Sequence, residues 1–208
     1  GADALRLHEM FLGPIEMHKP WNTKGIEGVS RFLRKLWRLI HDKDGNLMVV
    51  NEEPNTAELK ALHKCIQKVG EDMEKFSFNT SVSAFMVLVN ELSELGCVKR
   101  SIIEQSMILM SCHAPFISEE IWHKLGHKES ISNVPWPKLN ADYLKSDSVK
   151  YPISFNGKTR FYVELSAGTS KDDIESHVLS LDETKKWLDG ATPRKVIVVP
   201  GRIVNIVA

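Results

Sequence analysis

From Ala2 to Gly126 the apolar residues return every three or four positions, the spacing of one helix face, and the runs break at glycine, proline and capping residues. The pattern predicts five helices, near 2–12, 26–41, 56–76, 80–96 and 99–125. The last is expected to break at Ala114-Pro115, because proline lacks an amide and pushes the residue before it out of the helical region. Pro14 and Pro20 forbid regular helix between Gly13 and Gly25, so a long connection is expected there.

From Val149 onward the period falls to two. Tyr151, Ile153 and Phe155 alternate with polar residues, Asn156-Gly157 signals a turn, and Phe161, Val163 and Leu165 alternate again, which predicts a β-hairpin. A two-residue loop with an unbroken ladder would pair Ile153 with Arg160 and turn the two apolar sets to opposite faces, so a bulged turn is expected. In that register Ser154, Lys158, Arg160 and Tyr162 share the outer face. Residues 170–189 follow, with Ser170 as cap, early acids and Gly190 at the end, giving one helix or two short ones. Lys195–Val199 and Ile203–Val207 read as strands around Pro200-Gly201. The predicted fold class is a mainly α helical bundle followed by a small α+β domain of order ββα(α)ββ, divided as 1–140 and 141–208. Between them, 127–148 reads as a connection in which Pro135-Trp136-Pro137 excludes helix.

Composition narrows the function classes. The 42% hydrophobic content suffices for a packed core, and neither a signal peptide nor a run of apolar residues long enough to span a membrane is visible, so a cytoplasmic protein without membrane contact is expected; a monomer is expected as well. Cys65, Cys97 and Cys112 lack metal-ligand spacing and are expected to be ordinary thiols. With 27 basic and 27 acidic residues the chain is formally neutral, which argues against indiscriminate coating of nucleic acid or a DNA partner. Any RNA contact must therefore be local.

No phosphate-binding glycine loop, nucleophile elbow or helical zinc motif occurs, and no catalytic or metal-binding residue is expected. His123 and His127 have helical metal-pair spacing, but Gly126 should end the helix before His127. Glu119 and Glu120 point about 100° apart on a helix and are expected to be solvated rather than a converging acid/base pair. The informative feature is the helix at 26–41. Ile26, Val29, Leu33, Leu36, Trp37 and Ile40 form its apolar face, and Arg31, Arg34, Lys35 and Arg38 form a basic stripe opposite. Like charges at that spacing repel, and RNA phosphate would relieve the repulsion. Acidic neighbours in the bundle, or simple complementation of the helix C-terminus, would explain the stripe equally. The outer face of the hairpin is open in the same way between an RNA contact and a merely solvated sheet surface.

The segments GADALRLHEMFLGPIE, KPWNTKGIEGVSRFLRKLWRL, HAPFISEEIWHKLG, VPWP, SFNGKTRF and KVIVVPGRIVNIV, in this order, resemble successive landmarks of bacterial-type leucyl-tRNA synthetases. The resemblance implies a helical, anticodon-binding-type tRNA-binding domain followed by a small C-terminal domain that docks on the tRNA corner. It implies tRNA(Leu) as partner, and catalytic and editing domains that would lie upstream of Gly1 in the parent enzyme, where ATP with Mg would be used. The His-Ile-Gly-His and Lys-Met-Ser-Lys-Ser type motifs are not in this chain, so the fragment itself is expected to be non-catalytic and to need no cofactor. Carried over by position, the expected tRNA contacts are Arg31, Arg34, Lys35 and Arg38 in the bundle and Asn156, Gly157, Lys158, Arg160 and Arg202 in the tail. Where family members often have Val-Gln-Val before the Asn-Gly turn, this chain has Ile153-Ser154-Phe155. Outside the family, the same features would fit a protein-interaction scaffold whose stripe meets an acidic surface, and, further off, a small enzyme with an unrecognised site.

Overall fold

A computed structural model describes residues 1–20, 25–145 and 148–207, which form two compact units, Gly1–Leu144 and Lys145–Ala208. The first is a bundle of α1 (Ala2–Phe11), α2 (Ile26–Ile40), α3 (Thr56–Glu74), α4 (Phe78–Glu94), α5 (Arg100–Ser111) and α6 (Pro115–Lys124). These match the helices expected from periodicity, with the break at proline where it was expected. The connection after α1 is non-helical over 13–20, and its residues 21–24 lie outside the described residues. Leu7, Leu36, Leu62, Val69, Phe85, Ile103 and Met107 are among the side chains that fill one continuous core. Burial of this apolar surface drives the assembly.

The helix ends are set by local chemistry. Asn55 and Glu58 close a capping box at the start of α3: the Asn55 side chain accepts from the Glu58 amide at 3.0 Å and the Glu58 carboxylate accepts from the Asn55 amide at 2.8 Å. At the α5–α6 break the capping groups come from α1, over a hundred positions away. Arg6 donates to the Cys112 and His113 carbonyl oxygens at 2.9 and 3.2 Å, and Asp3 accepts from the Phe116 and Ile117 amides at 3.2 and 2.7 Å. A cation thus meets the negative end of one helix and a carboxylate the positive end of the next.

His113, at that break, is buried with the edges of Phe78 and Phe85 against it. Burial, aided by the Arg6 charge and opposed by Asp72, pushes its pKa down to about 4. The chain after α6 lies back on the bundle instead of hanging as a connection. The Asn140 amide donates to His63 Nδ1 at 3.2 Å, and the Tyr143 ring stacks on His63 with centroids 4.8 Å apart. Glu119 is not merely solvated: it accepts from the Ser130 hydroxyl and the Ile131 amide at 3.0 and 3.2 Å, fixing the turn after α6.

The second unit is a mixed four-stranded sheet of order β2-β1-β4-β3, built from β1 (Ser148–Phe155), β2 (Lys158–Ser166), β3 (Lys195–Val199) and β4 (Ile203–Val207). Between β2 and β3 run α7 (Lys171–Ser180) and α8 (Asp182–Leu188), so the helical segment is the two-helix version of the expectation. Tyr151, Ile153, Phe155, Val198, Val204 and Ile206 form its core with Ile174 and Val178 of α7. β1 and β4 pair in parallel, and the remaining ladders are antiparallel.

Two outcomes test these packing arguments. Asp3→Ala should lower the unfolding free energy by about 1–2 kcal/mol in a urea titration, since it removes the cap of α6. The His113 pKa is depressed in the fold, so the unfolded chain takes up a proton first as pH falls through about 6.5, and stability is lost between about 6.5 and about 4. Urea unfolding at pH 7.5 and pH 5 should show a loss of about 2 kcal/mol in wild type that His113→Phe lacks.

Candidate nucleic-acid interface

The core face of α2 is wider than its heptad-like pattern suggests. Phe32 and Leu39 are buried alongside Val29, Leu36 and Ile40, which leaves a narrow outward arc to Arg31, Arg34, Lys35 and Arg38. All four are exposed. Among the described residues no carboxylate lies within ion-pair distance of Arg31, Arg34 or Arg38, whereas α3, α5 and α6 carry pairs such as Lys64–Glu91, Arg100–Glu104 and Lys124–Glu120. Lys35 donates to Asn90 Oδ1 of α4 at 2.6 Å, and Ser93 and Leu39 join the four cations around one shallow depression. The helix facing the stripe therefore offers neutral amide and hydroxyl groups there. Acidic neighbours do not explain these charges, and the dipole of α2 accounts at most for Arg38, which alone sits in the last turn.

The end of α2 is rigid. Trp37 stacks on His41 with ring centroids 3.9 Å apart, and His41 Nδ1 contacts the Trp37 carbonyl oxygen at 3.0 Å. Lys124 Nζ of α6, paired with Glu120, stands 5.6 Å from the centre of the Trp37 ring, a contact that only the fold reveals.

In the sheet unit the hairpin differs from expectation in a telling way. The loop is a two-residue turn, with Asn156 and Gly157 at φ of 48° and 82°, the positive values of a type I′ turn that matches strand twist. The irregularity lies two positions further on, between Ile153 and Ser154, where Ser154 pairs with Thr159 but Ile153 pairs with Phe161. Arg160 is the extra residue. This bulge returns Phe161, Val163 and Leu165 to the core face, as the turn was expected to do.

It also separates the residues expected to share the outer face. Ser154 is fully buried and bonded to the Thr159 hydroxyl at 3.0 Å. Lys158 pairs with Phe155, so it belongs to the apolar side of the ladder. Arg160 turns to α8, its guanidinium 4.2 Å from the centre of the Trp187 ring. Only Tyr162, 60% exposed, stays outward, beneath Lys150 Nζ at 5.0 Å.

The tip is tied to β4 by the Asn156 amide on the Ile206 carbonyl at 2.9 Å and the Gly157 amide on Asn205 Oδ1 at 3.0 Å. Arg202 sits elsewhere. It closes the Pro200-Gly201 turn at the opposite end of the parallel β1–β4 ladder, about 13 Å from the tip by strand rise. There the Gly201 amide donates to the Tyr151 hydroxyl at 2.9 Å. The structure thus brings Asn156, Gly157, Lys158 and Arg160 together and leaves Arg202 apart.

The other polar candidates have structural occupations. His123 contacts Glu119 at 3.2 Å and the His127 carbonyl oxygen at 3.0 Å, while His127 stacks on Trp122 and meets Glu104 at 2.8 Å. Burial pushes the Cys65 thiol up to about 12 and the Cys97 thiol up to about 11, which keeps both protonated and inert. Among the described residues no cluster of metal-ligating side chains forms, and no helix is long and apolar enough to cross a membrane.

With these surfaces described, comparison with known proteins is direct. Residues 57–175 match the family described as the anticodon-binding domain of tRNA ligase, and the chain belongs to that family. Its relatives include the leucine–tRNA ligase of Parabacteroides distasonis, 56% identical over 207 residues, which are 100% of this chain and 22% of that protein. The leucine–tRNA ligases of Bacteroides thetaiotaomicron and Flavobacterium johnsoniae are 51% and 56% identical over the same span. The chain thus spans 22% of the length of these curated relatives and corresponds to their C-terminal portion. A crystal structure of the ternary complex of Agrobacterium radiobacter K84 LeuRS, tRNA and LeuAMS superposes with a TM-score of 0.77 at 26% identity, covering 100% of this chain and 28% of that one. The family match begins within α3, after the stripe, so the roles of the α2 cations rest on their geometry.

The unpaired stripe should carry a measurable cost. Arg34 has Arg31 and Arg38 as helical neighbours, so Arg34→Gln should raise unfolding stability by about 0.3–0.5 kcal/mol at low salt. Urea titrations repeated at about 1 M salt should show that gain vanish, because screening removes the repulsion it relieves.

Proposed function

We propose that this chain is the tRNA-docking portion of a leucine–tRNA ligase, holding tRNA(Leu) so that a catalytic part outside the chain receives its acceptor end for ATP-dependent leucylation. The observation that carries the reading is the row of exposed cations on α2, three of them arginines without a carboxylate partner, in a chain that is formally neutral as a whole. A solvated helix face would mix signs. From Arg31 onward, past the exposed Glu27 of the first turn, this one carries a single sign opposite neutral side chains, which suits the sugar-phosphate backbone of a folded RNA. Membership in the anticodon-binding family, and the likeness to an enzyme solved with tRNA, support the same partner.

The mechanism is positional. Arg31, Arg34, Lys35 and Arg38 bind phosphate oxygens, with arginine offering a planar fork that matches two of them at once. The hairpin tip, through Lys158 and Arg160 with the backbone of Asn156 and Gly157, and separately Arg202, hold the RNA at the sheet unit. Such contacts set register and orientation, and their contribution to rate comes from delivering the reacting end in a productive geometry. ATP and Mg belong to the chemistry of the catalytic part, and no residue of this chain is assigned to them.

A gel-shift titration of the chain with a leucine tRNA transcript over a salt series tests this. Reversal of Arg34 and Arg38 to Glu should weaken binding by about tenfold or more at low salt. It should also reduce the slope of log K against log salt by about one for every phosphate that is no longer neutralised. Equal slopes for wild type and variant would remove the stripe from the interface, and binding of an acidic protein in place of tRNA would favour the scaffold reading.

A further inference from the structure

The tip of the β1–β2 hairpin gathers planar groups in a way that phosphate binding alone does not require. Phe155, in the core, lies against Trp187 of α8 with ring centroids 6.2 Å apart and planes at 37°. Arg160 then lies over the indole, its guanidinium carbon 4.2 Å from the ring centre. Trp187 keeps 49% of its surface exposed, and Arg160 is exposed as well. Among the described residues no carboxylate lies within ion-pair distance of Arg160, so its charge is answered by the ring alone.

The bulge creates this arrangement. In an unbroken ladder Arg160 would stand opposite Ile153, on the core side. As the extra residue of the edge strand β2 it has no partner on β1, and its guanidinium lies over Trp187 at the margin of that core. The turn beside it is held on β4 by two amide hydrogen bonds, so the stack rests on a fixed base. A guanidinium is planar and weakly hydrated, and one that lies over an indole while staying exposed offers a cationic surface to a partner. Nucleobases pack on guanidinium planes and aromatic rings when they are unstacked from their neighbours.

We propose that the Arg160–Trp187 stack is the seat of one unstacked nucleobase of the bound RNA, which lies on the guanidinium while Lys158 takes an adjacent phosphate. This rests on the tRNA-docking reading above and adds to it a base-stacking mode of contact for Arg160 and a supporting residue, Trp187. Trp187 is a positioning residue in this arrangement: it holds the guanidinium flat and presents it.

The test is a gel-shift titration of the full chain with a leucine tRNA transcript, over a salt series, for wild type, Arg160→Lys, Trp187→Ala and Trp187→Phe. Circular dichroism melting of each verifies the fold. Arg160→Lys keeps the charge and loses the plane, so it should weaken binding about five- to tenfold with an unchanged salt slope. Trp187→Ala should cost a similar factor, Trp187→Phe should restore most of it, and Arg160→Lys combined with Trp187→Ala should be little worse than either alone.

Wild-type affinity in Arg160→Lys would reduce Arg160 to a point charge and overturn the stack. Wild-type affinity in Trp187→Ala would do the same. If wild type binds, and loses affinity on reversal of Arg34 and Arg38 but not on these changes, the base seat fails while tRNA docking stands. If the wild-type chain does not bind the transcript at all, both fail.

Discussion

The bundle depends on how its proline break is held. Pro115 removes an amide and turns the chain between α5 and α6, exposing carbonyl oxygens on one side and amides on the other. Left in the interior without partners, each such group would cost on the order of 1–3 kcal/mol. One turn of α1 answers both, with Arg6 on the carbonyls and Asp3 on the amides. Because α1 also packs on α2 and α4, the clamp fixes more than the break itself. It seats the helix against which α2 packs part of its apolar face.

That arc is where fold and function pull in different directions. An isolated stability argument would place glutamates among Arg31, Arg34, Lys35 and Arg38, as this molecule does elsewhere with Lys64–Glu91, Lys68–Asp72 and Arg100–Glu104. Surface pairs of this kind contribute little individually. Their absence from α2 is therefore inexpensive in folding and leaves the charge available to a partner. Formal neutrality of the whole chain has a related effect: attraction to a polyanion would be confined to particular faces, which favours a docking orientation over general adhesion.

Much of the architecture was legible in the amino-acid pattern, and the exceptions have physical reasons. Helices α1 to α6 follow from apolar periodicity and, at the α5–α6 break, from Pro115, signals that act within a few residues. The hairpin followed from alternation and Asn156-Gly157, and the need for an irregularity followed from counting faces. Its location did not. A bulge is chosen by what the extra side chain can reach, and Trp187, the group Arg160 reaches, is separated from it by the rest of β2 and all of α7. Ser154 looked like a surface residue because one residue on the outer side of a central strand cannot be told from one on an edge; with β2 and β4 on either side of it, it is sealed. Asp3, Arg6 and Glu119 were unreadable as caps because their partners are set by tertiary contact, not spacing.

The same contrast governs the candidate contacts. The α2 stripe could be read in advance because a helix imposes its own periodicity on charge, whatever the rest of the chain does. The tail residues could not, because a sheet distributes neighbours in sequence to opposite faces and opposite ends, as Arg202 and Lys158 show. What the two regions share is restraint. The stripe rides on a helix packed along its length, Trp37 is pinned on His41, and Arg160 is laid on an indole. A long cationic side chain loses rotamer freedom on binding, and each one already held reduces that loss. Among the candidate cations Arg160 on its indole and Lys35 on Asn90 are held in this way, while Arg31, Arg34 and Arg38 are placed by the helix that carries them.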